Sequence, residues 1–389
     1  MGSSQQMSKP HREGGWLSRL PKWVFAVPLV TFAIGVLVGG WVFGGDDGDI
    51  PGPVPIDFGR PGRYVALGDS YSAGEGLAPF EGGTLDVEEE GDRCHRSEQF
   101  AYPLLLEFVQ QTTTVFRACS GAVVVNVFDE VQEHSGVPNH QGLQVEQEIG
   151  GEDVRLVTLT MGGNDVGFAK VLNFCFSNSM DENCADQPYE GYESLRDWAE
   201  ARLGDLKTDL VGLYLGLRES FPTARILALG YPALFPLKAP PIYRDRGALC
   251  TALFTRWTLS EREAIRNWGF GLNRIIQEAT QQANENIEYV DVSSHFTGHE
   301  PCSAGGEWVR FVGLLNSAVR DGSFHPLRDG QAMMARIVSC HLDVFPTADT
   351  PRTKTTNYAM TGCVAKETAE VVEAAAATPT DTEATATPT

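Results

Sequence analysis

The sequence predicts an α/β fold in which a doubly wound parallel sheet lies between two layers of helices. Three observations support this prediction. Short apolar runs alternate along the chain with longer amphipathic ones. The short runs are mostly β-branched or aliphatic, as in strands that are buried on both faces. The longer runs repeat apolar residues at helical spacing. Such alternation is typical of parallel strands that are connected by helices.

Five strands and four helices follow from these patterns. The predicted strands, in chain order, are Tyr64–Leu67, Thr114–Arg117, Arg155–Thr160, Arg225–Leu229 and Ile287–Val292. The predicted helices are Tyr102–Gln111, Tyr192–Glu219, Glu261–Asn284 and Leu327–Cys340. The third helix repeats Ile265, Trp268, Leu272, Ile275, Ile276 and Ala279 at helical spacing, which we interpret as a core-facing stripe. In such sheets ligands bind outside the carboxyl ends of the strands, so functional residues are expected there.

The sheet is predicted to belong to one domain over residues 62–365, with other kinds of segment on either side. Residues 1–22 form a short N-terminal tail, and residues 46–61 form a linker rich in Gly, Pro and Asp. Residues 366–389 consist mostly of Ala, Thr, Pro and Glu, so we expect a disordered tail.

The segment Trp23–Gly45 carries no charge and is long enough to span a hydrocarbon core of roughly 30 Å. Basic residues precede it and acidic residues follow it, which predicts a cytoplasmic N-terminus and an extracellular domain. We therefore expect an uncleaved single-pass anchor in the cell membrane. The alternative is a cleaved signal peptide and a secreted protein. Its apolar region would normally be shorter, and no clear A-x-A cleavage site is present.

The net charge argues against one class of partner, and the cysteine content favours disulfide bonds. The 389 residues carry a formal net charge of −21, which would repel phosphate backbones and argues against a nucleic-acid partner. All eight cysteines follow the apolar segment, and no C-x-x-C motif occurs, so disulfides are favoured over a zinc site. The simplest pairing is sequential: Cys94 with Cys119, Cys175 with Cys184, Cys250 with Cys302, and Cys340 with Cys363. Sequence alone leaves other pairings open.

Three predicted strands end in unusual motifs. The first is followed by Gly68-Asp69-Ser70, the second by "CSGA" and the third by "GGND". Each motif alone is also ordinary turn chemistry, and Ser70 could simply cap the helix that follows. Their occurrence together is more specific, because parallel strands bring their carboxyl ends to one edge of the sheet.

With these motifs, the sequence resembles the SGNH (GDSL-type) hydrolase family, which is defined by four blocks. "GDSYSAGEG" supplies Ser70, "CSGA" supplies Gly121, "GGND" supplies Asn164, and "SFHP" supplies His325, in the family's order. The resemblance covers about Arg63 to Cys340. In motif the sequence is most similar to secreted, disulfide-bonded actinobacterial-type esterases and lipases. The resemblance implies a flavodoxin-like three-layer fold and hydrolysis of acyl esters.

The resemblance also implies a role for each block residue. Ser70 would be the nucleophile and His325 the base that takes its proton. The backbone N–H groups of Ser70 and Gly121 and the side-chain amide of Asn164 would stabilise the oxyanion that forms on the attacked carbonyl. No His, Asp or Glu cluster has metal-ligand spacing, so neither a metal nor a cofactor is expected. Asp69 and Asp165 are expected to hold turns rather than to take part in the reaction.

One position departs from the family pattern. Many members carry Asp three residues before the histidine, whereas this chain has Gly322 there and Asp321 one residue earlier. Asp321 could still orient the imidazole, or the Gly322 carbonyl could accept from Nδ1 in a Ser–His dyad. We favour the dyad because relatives with "SFHP"-like motifs are thought to use a main-chain carbonyl.

The remaining candidates concern the substrate. The segment after the fourth strand contains Tyr231, Leu234, Phe235 and Leu237, which form either an apolar wall for an acyl chain or ordinary loop packing. For the other histidines, including His295 and His299, we favour structural or surface roles. The leading hypothesis is a membrane-anchored extracellular serine esterase that acts on lipids or small acyl esters. The alternatives are a polysaccharide O-acetylesterase and a non-catalytic surface binding module on the same fold.

Overall fold

Five parallel strands form the sheet that carries the candidate site. They are β1 (Arg63–Ala66), β2 (Thr113–Phe116), β5 (Val154–Leu159), β6 (Arg225–Leu229) and β7 (Ile287–Val290). The computed structural model describes residues 62–81, 93–106, 113–134, 137–139, 141–151, 153–178, 183–235, 258–283, 286–301, 303, 306–311 and 322–342. All five strands were predicted, most with ends within one residue, and every pairing in the sheet is parallel. The predicted parallel α/β fold is therefore confirmed.

The strand order is β2-β1-β5-β6-β7. The chain passes from β1 to β2 in one direction and then returns past β1 to β5. Because crossovers between parallel strands are right-handed, this reversal carries the two sets of connections onto opposite faces of the sheet. The reversal also makes the carboxyl ends of β1 and β5 a topological switch point, where ligands bind in open α/β sheets. Ser70 follows β1 at this point, and Asn164 follows β5.

Seven α-helices are described. They are α1 (Ser70–Ala73), α2 (Tyr102–Leu105), α3 (Gln141–Ile149), α4 (Phe168–Asn178), α5 (Leu195–Ser220), α6 (Leu259–Ala283) and α7 (Arg328–His341). The six residues of the predicted apolar stripe on α6 are all buried, which confirms that this face belongs to the core. Ser194 caps α5 by accepting a hydrogen bond from the backbone N–H of Asp197 at 3.1 Å.

Some elements differ from the sequence prediction. Helix α2 begins at Tyr102 as expected but ends at Leu105, because Leu106 adopts extended backbone and is buried in the core. Helices α3 and α4 were not predicted. Neither was the short antiparallel hairpin of β3 (Gln132–His134) and β4 (Val137–Asn139).

Several predicted segments lie outside the described residues: the tail 1–22, the anchor 23–45, the linker 46–61 and the C-terminal tail 366–389. Within the ranges given above, no helix has the length and apolar character that crossing a bilayer requires.

Candidate active site

The nucleophile candidate follows a backbone turn that only glycine fits well. Gly68 has a φ of 124°, and a Cβ there would lie 2.5 Å from Oγ of Ser72 and 2.7 Å from the carbonyl oxygen of Thr160. Gln141, the first residue of α3, hydrogen-bonds to the backbone of Gly68. Its Oε1 accepts from the Gly68 N–H at 2.7 Å, and its Nε2 donates to the Gly68 carbonyl at 2.8 Å. The turn out of β1 is therefore fixed on both sides of Gly68.

Asp69 connects this turn to two neighbouring strands. It is buried, and its Oδ1 accepts from the backbone N–H of Tyr71 at 3.0 Å and from Oγ1 of Thr160 at 2.7 Å. Its Oδ2 accepts from the hydroxyl of Tyr231, which follows β6, at 2.6 Å. Burial raises the pKa of Asp69, and these hydrogen bonds partly oppose that rise. Because both carboxylate oxygens accept hydrogen bonds from these residues, Asp69 links the ends of β1, β5 and β6.

Ser70 begins α1 and meets His325, which lies 255 residues later in the chain. Oγ of Ser70 lies 2.7 Å from Nε2 of His325, within hydrogen-bond distance. On the other side of the ring, Nδ1 lies 2.9 Å from the backbone carbonyl oxygen of Ser323. A proton on Nδ1 would donate to that carbonyl and leave Nε2 as the acceptor for the serine hydroxyl.

The carbonyl that contacts the ring is therefore a different one from that favoured by the sequence. The Gly322 carbonyl accepts from the backbone N–H of His325 at 3.2 Å, so it is engaged by the main chain rather than by the ring. The intervening residue explains the difference. Phe324 has a φ of 61°, a left-handed conformation that tightens the turn and directs the Ser323 carbonyl toward the ring. Asp321, the other candidate, lies outside the described residues.

Hydrogen bonds from distant segments hold this strained turn. The hydroxyl of Tyr71, next to the nucleophile candidate, donates to the Phe324 carbonyl at 2.6 Å. The backbone N–H of Phe324 donates to the Arg310 carbonyl at 2.8 Å. Burial lowers the pKa of His325, whereas the charge of Glu75 and the Ser323 carbonyl oppose that effect. The imidazole is therefore favoured in the neutral form that can accept a proton.

Two further motif residues line the same pocket as Ser70 and His325. Gly121 has a φ of 78°, which a residue with a side chain rarely adopts, and it presents its backbone without a Cβ beside the pocket. The side-chain amide of Asn164 donates one hydrogen bond to the Ala122 carbonyl at 2.9 Å. Its NH₂ group carries a second hydrogen, for which no described residue is an acceptor. Oδ1 of Asp165 accepts from the Val124 N–H at 3.0 Å. The "GGND" and "CSGA" loops are thus joined to each other.

Glu75 is a site residue that the sequence reasoning did not identify. It lines the pocket, yet only 5% of its surface is exposed. Its Oε2 lies 2.6 Å from Nδ1 of His95 and accepts from the hydroxyl of Ser120, which precedes Gly121. Burial alone would raise the pKa of Glu75, but the contacts with His95 and the nearby charge of His325 lower it overall. The only sequence signal was a carboxylate between two glycines in "GEG".

Two disulfides are described, and one of them joins two loops of the site. Cys94 pairs with Cys119, which joins the loop of His95 to the loop of Gly121, and Cys175 pairs with Cys184. Both pairs agree with the sequential pairing predicted from the sequence. Cys250, Cys302 and Cys363 lie outside the described residues, so the other two predicted pairs remain predictions.

The pocket is a cavity of about 210 Å³ beside Ser70. Its apolar lining comes mainly from α4, α6 and the segment after β6: Phe168, Leu172, Leu234, Ile265, Phe270 and Leu272. Of the predicted acyl wall, Tyr231 and Leu234 line the pocket. Phe235 does not, because it is fully buried in the core, and Leu237 lies outside the described residues.

The other predicted histidines lie elsewhere. His299 stacks on the indole of Trp308 with 3.5 Å between ring centroids, and its Nδ1 contacts the Gly306 carbonyl at 2.8 Å. Neither His299 nor His295 lines the pocket. Across the described ranges, no three His, Cys, Asp or Glu side chains are grouped so that they could hold a metal ion.

The chain is similar to a known family of enzymes and to several of its members. The model of the GDSL-like lipase/acylhydrolase family matches residues 66–333, a range that contains all four motif blocks. Lipase 1 of Streptomyces coelicolor is 31% identical over 271 residues, covering 69% of this chain and 82% of that protein. A lipase of Streptomyces rimosus is 29% identical, with the same two coverages.

Among solved structures, phospholipase A1 from Streptomyces albidoflavus NA297 is similar, with a TM-score of 0.51 and 28% identity. The match covers 72% of this chain and 99% of that one. The family match extends over more than half of the sequence, and the relatives match it over most of their own length. The chain therefore belongs to the GDSL-like lipase/acylhydrolase family, and it is a carboxylic ester hydrolase.

Proposed function

We propose that this enzyme cleaves acyl esters with Ser70 as nucleophile and His325 as general base, in a dyad oriented by the Ser323 carbonyl. The observation that carries the proposal is the 2.7 Å contact between Oγ of Ser70 and Nε2 of His325 at the wall of an apolar pocket. A serine hydroxyl is a weak nucleophile until a neighbouring base takes its proton, and this contact supplies that base.

The reaction proceeds in two halves. In the first, the Ser70 proton passes to Nε2 of His325 while Oγ bonds to the ester carbonyl carbon. Collapse of the tetrahedral intermediate breaks the bond to the leaving alcohol, which takes the proton from Nε2. In the second half, His325 removes a proton from water, and the resulting hydroxide attacks the acyl-serine. Breaking the bond to Oγ then releases the carboxylic acid and returns the proton to Ser70.

The negative charge that develops on the carbonyl oxygen requires donors that are already in position. We assign this role to the backbone N–H groups of Ser70 and Gly121 and to the second hydrogen of the Asn164 amide. The connections of Asn164 to Ala122 and of Asp165 to Val124 limit the movement of these donors during the reaction. Loss of one such donor typically costs on the order of a hundredfold in rate.

Hydrolysis of p-nitrophenyl esters, from acetyl to palmitoyl, tests the proposal. We expect the wild-type chain to prefer medium or long acyl groups, because the cavity beside Ser70 is mostly apolar. Replacing the nucleophile, Ser70→Ala, should lower kcat by roughly 10³-fold or more, and His325→Ala should have a similar effect. Correct folding of both variants is checked by circular dichroism.

Three outcomes would contradict this assignment or the expected acyl-chain preference. Turnover of acetyl esters alone would indicate an O-acetylesterase, such as one that acts on polysaccharide. Turnover that survives Ser70→Ala in a folded protein would reject the nucleophile assignment. The absence of any turnover by the wild-type chain would favour a binding module.

We also propose that Trp23–Gly45 anchors the enzyme in the cell membrane with its catalytic domain outside. The uncharged length of this segment and the basic residues before it support the proposal. The full chain should sediment with membranes, resist extraction with high salt, and lose its catalytic domain to protease added to intact cells. Release of a shortened protein into the medium would instead favour a cleaved signal peptide.

A further inference from the structure

Arg266 introduces a positive charge into a largely apolar pocket. It lies on α6 and lines the pocket with Ile265, Gly269 and Phe270. Among the described residues that line this pocket, it is the only lysine or arginine. Its side chain is half-buried, and burial lowers its pKa while the charges of Glu300 and Glu263 oppose that shift. An arginine remains cationic at neutral pH even after such a shift.

The guanidinium group lacks an anionic partner within the described part of the chain. It lies over the ring of Phe270, 4.5 Å from the ring centroid, which is a cation–π contact. Neither Glu300 nor Glu263 forms an ion pair with it. The Glu300 carboxylate instead accepts hydrogen bonds from the Gly298 N–H and the Ser303 hydroxyl. No described residue therefore occupies the N–H groups of Arg266, which lines the pocket.

The position of Arg266 on α6 places its charge toward one end of the pocket. Asn273, seven residues further along the helix, holds the backbone of Tyr231 through two hydrogen bonds of 2.8 Å, close to the end of β6. Seven residues correspond to about 10 Å along a helix axis. The helix that leads into a parallel strand begins at the carboxyl side of the sheet. Arg266 therefore lies further out from the sheet than Asn273, with the apolar side chains of Ile265 and Leu272 also lining the pocket.

We propose that Arg266 binds a phosphate carried by the acyl-ester substrate, so that the enzyme selects esters of phosphate-bearing glycerolipids over neutral ones. This inference rests on the proposed ester hydrolysis at Ser70. A planar guanidinium binds phosphate oxygens through two parallel hydrogen bonds, and an adjacent aromatic ring holds it flat. The arrangement suits an amphiphile whose acyl chain fills the apolar part of the cavity and whose charged group lies at the outer end.

The test compares two substrates with the same short acyl chains, dihexanoylphosphatidylglycerol and dihexanoylglycerol, both as monomers in solution. In the full-length enzyme, Arg266→Gln should lower the ratio of kcat/KM for the phospholipid to that for the neutral ester by roughly 10- to 100-fold, the range expected for a lost charged hydrogen bond. Arg266→Lys should restore part of this ratio, because it keeps the charge but loses the paired geometry.

Arg274→Gln is the matched control. It removes the same charge from the same helix, but Arg274 is exposed and contacts Glu278 at 3.8 Å. The ratio should stay unchanged in this variant. A ratio that also stays unchanged in Arg266→Gln, or that falls equally in both variants, would overturn the proposal.

Two further measurements distinguish a lipid phosphate at Arg266 from free phosphate and from a failure of ester hydrolysis itself. Inorganic phosphate at constant ionic strength should not inhibit hydrolysis of dihexanoylglycerol. Inhibition that disappears in Arg266→Gln would assign the site to free phosphate and overturn the lipid assignment. A wild-type enzyme that hydrolyses neither ester, or whose activity survives Ser70→Ala, would instead refute the proposed function.

Discussion

At the scale of single residues, Glu75 supplies a negative charge near His325, whose ring contacts no carboxylate within the described part of the chain. Nδ1 of His325 contacts a neutral main-chain carbonyl, whereas in a Ser-His-Asp triad a carboxylate would stabilise the imidazolium. Glu75 is buried in the same pocket and held by His95 and Ser120. Its charge raises the pKa of His325 against the lowering caused by burial. Glu75 therefore favours the protonated histidine without touching the ring.

This position gives a prediction for Glu75→Gln. Removing the charge should lower the pKa of His325, so the rise of kcat/KM with pH should move to lower pH by several tenths of a unit to about one unit. The imidazolium formed during the reaction should also be less stable, which we expect to lower the plateau rate roughly tenfold. The measurement is kcat/KM for p-nitrophenyl hexanoate between about pH 4 and pH 9, a range that spans the ordinary histidine pKa.

Asp321→Asn is the control for this variant. It also removes one carboxylate charge, from the residue that would complete a triad. For a dyad, we expect its rate to stay within severalfold of wild type and its pH profile to stay in place. A roughly thousandfold loss in this variant would show that Asp321 orients the histidine. An unshifted profile in Glu75→Gln would show that Glu75 acts only through packing.

The residues of the site were predictable to different degrees. Ser70 and His325 follow from short local motifs, because the turn and the chemistry reside in neighbouring residues. Gln141 could not be predicted, since its two hydrogen bonds to Gly68 join positions 73 residues apart and leave no local pattern. The carbonyl that contacts Nδ1 lies one residue later than the sequence suggested, because the backbone turns at Phe324, which is held by contacts with Tyr71 and Arg310.

At the scale of elements, the strands were predictable and several connections were not. A strand buried on both faces is almost entirely apolar, as β6 is, and such a run is visible without knowledge of its partners. Helix α4, "FAKVLNFCFSN", contains three phenylalanines and Val171 together with Asn, Cys and Ser, residue types that favour a helix only weakly. It packs on the core through Val171 and Leu172, and Cys175 ties it to Cys184. Its tertiary contacts therefore outweigh its local preference.

At the scale of the whole molecule, the two ends of the sheet have different roles. The carboxyl ends carry the reactive groups, whereas an ionic cluster lies toward the amino ends. Arg225, the first residue of β6, contacts the carboxylate of Glu288 on β7 through two hydrogen bonds of 2.8 Å. Nε2 of His341, at the end of α7, lies 2.8 Å from the same carboxylate. The cluster joins two strands and a helix away from the site.

The cluster makes stability depend on pH. Burial alone would raise the pKa of Glu288, but the hydrogen bonds and charges of His341 and Arg225 outweigh it and lower the pKa from 4.5 to about 2. Because the pKa is lower in the folded state, the ionised carboxylate stabilises the fold, and this contribution is complete at pH values above the unfolded-state pKa, near 4.5. That contribution is lost as the pH falls from there through the folded value. For this partly exposed group we expect about 1–3 kcal/mol at neutral pH.

Glu288→Gln should therefore lower the free energy of unfolding by that amount at neutral pH, and the difference from wild type should shrink steadily between about pH 4.5 and about pH 2.5. Urea unfolding at several pH values measures it. Glu278→Gln is the control, because that carboxylate pairs with Lys207 at the surface and should contribute at most about 0.5 kcal/mol. Ester hydrolysis at neutral pH should stay unchanged in Glu288→Gln, since the cluster is remote from Ser70. If the difference in free energy of unfolding between Glu288→Gln and wild type were as large at about pH 2.5 as at neutral pH, the effect would come from packing rather than from charge.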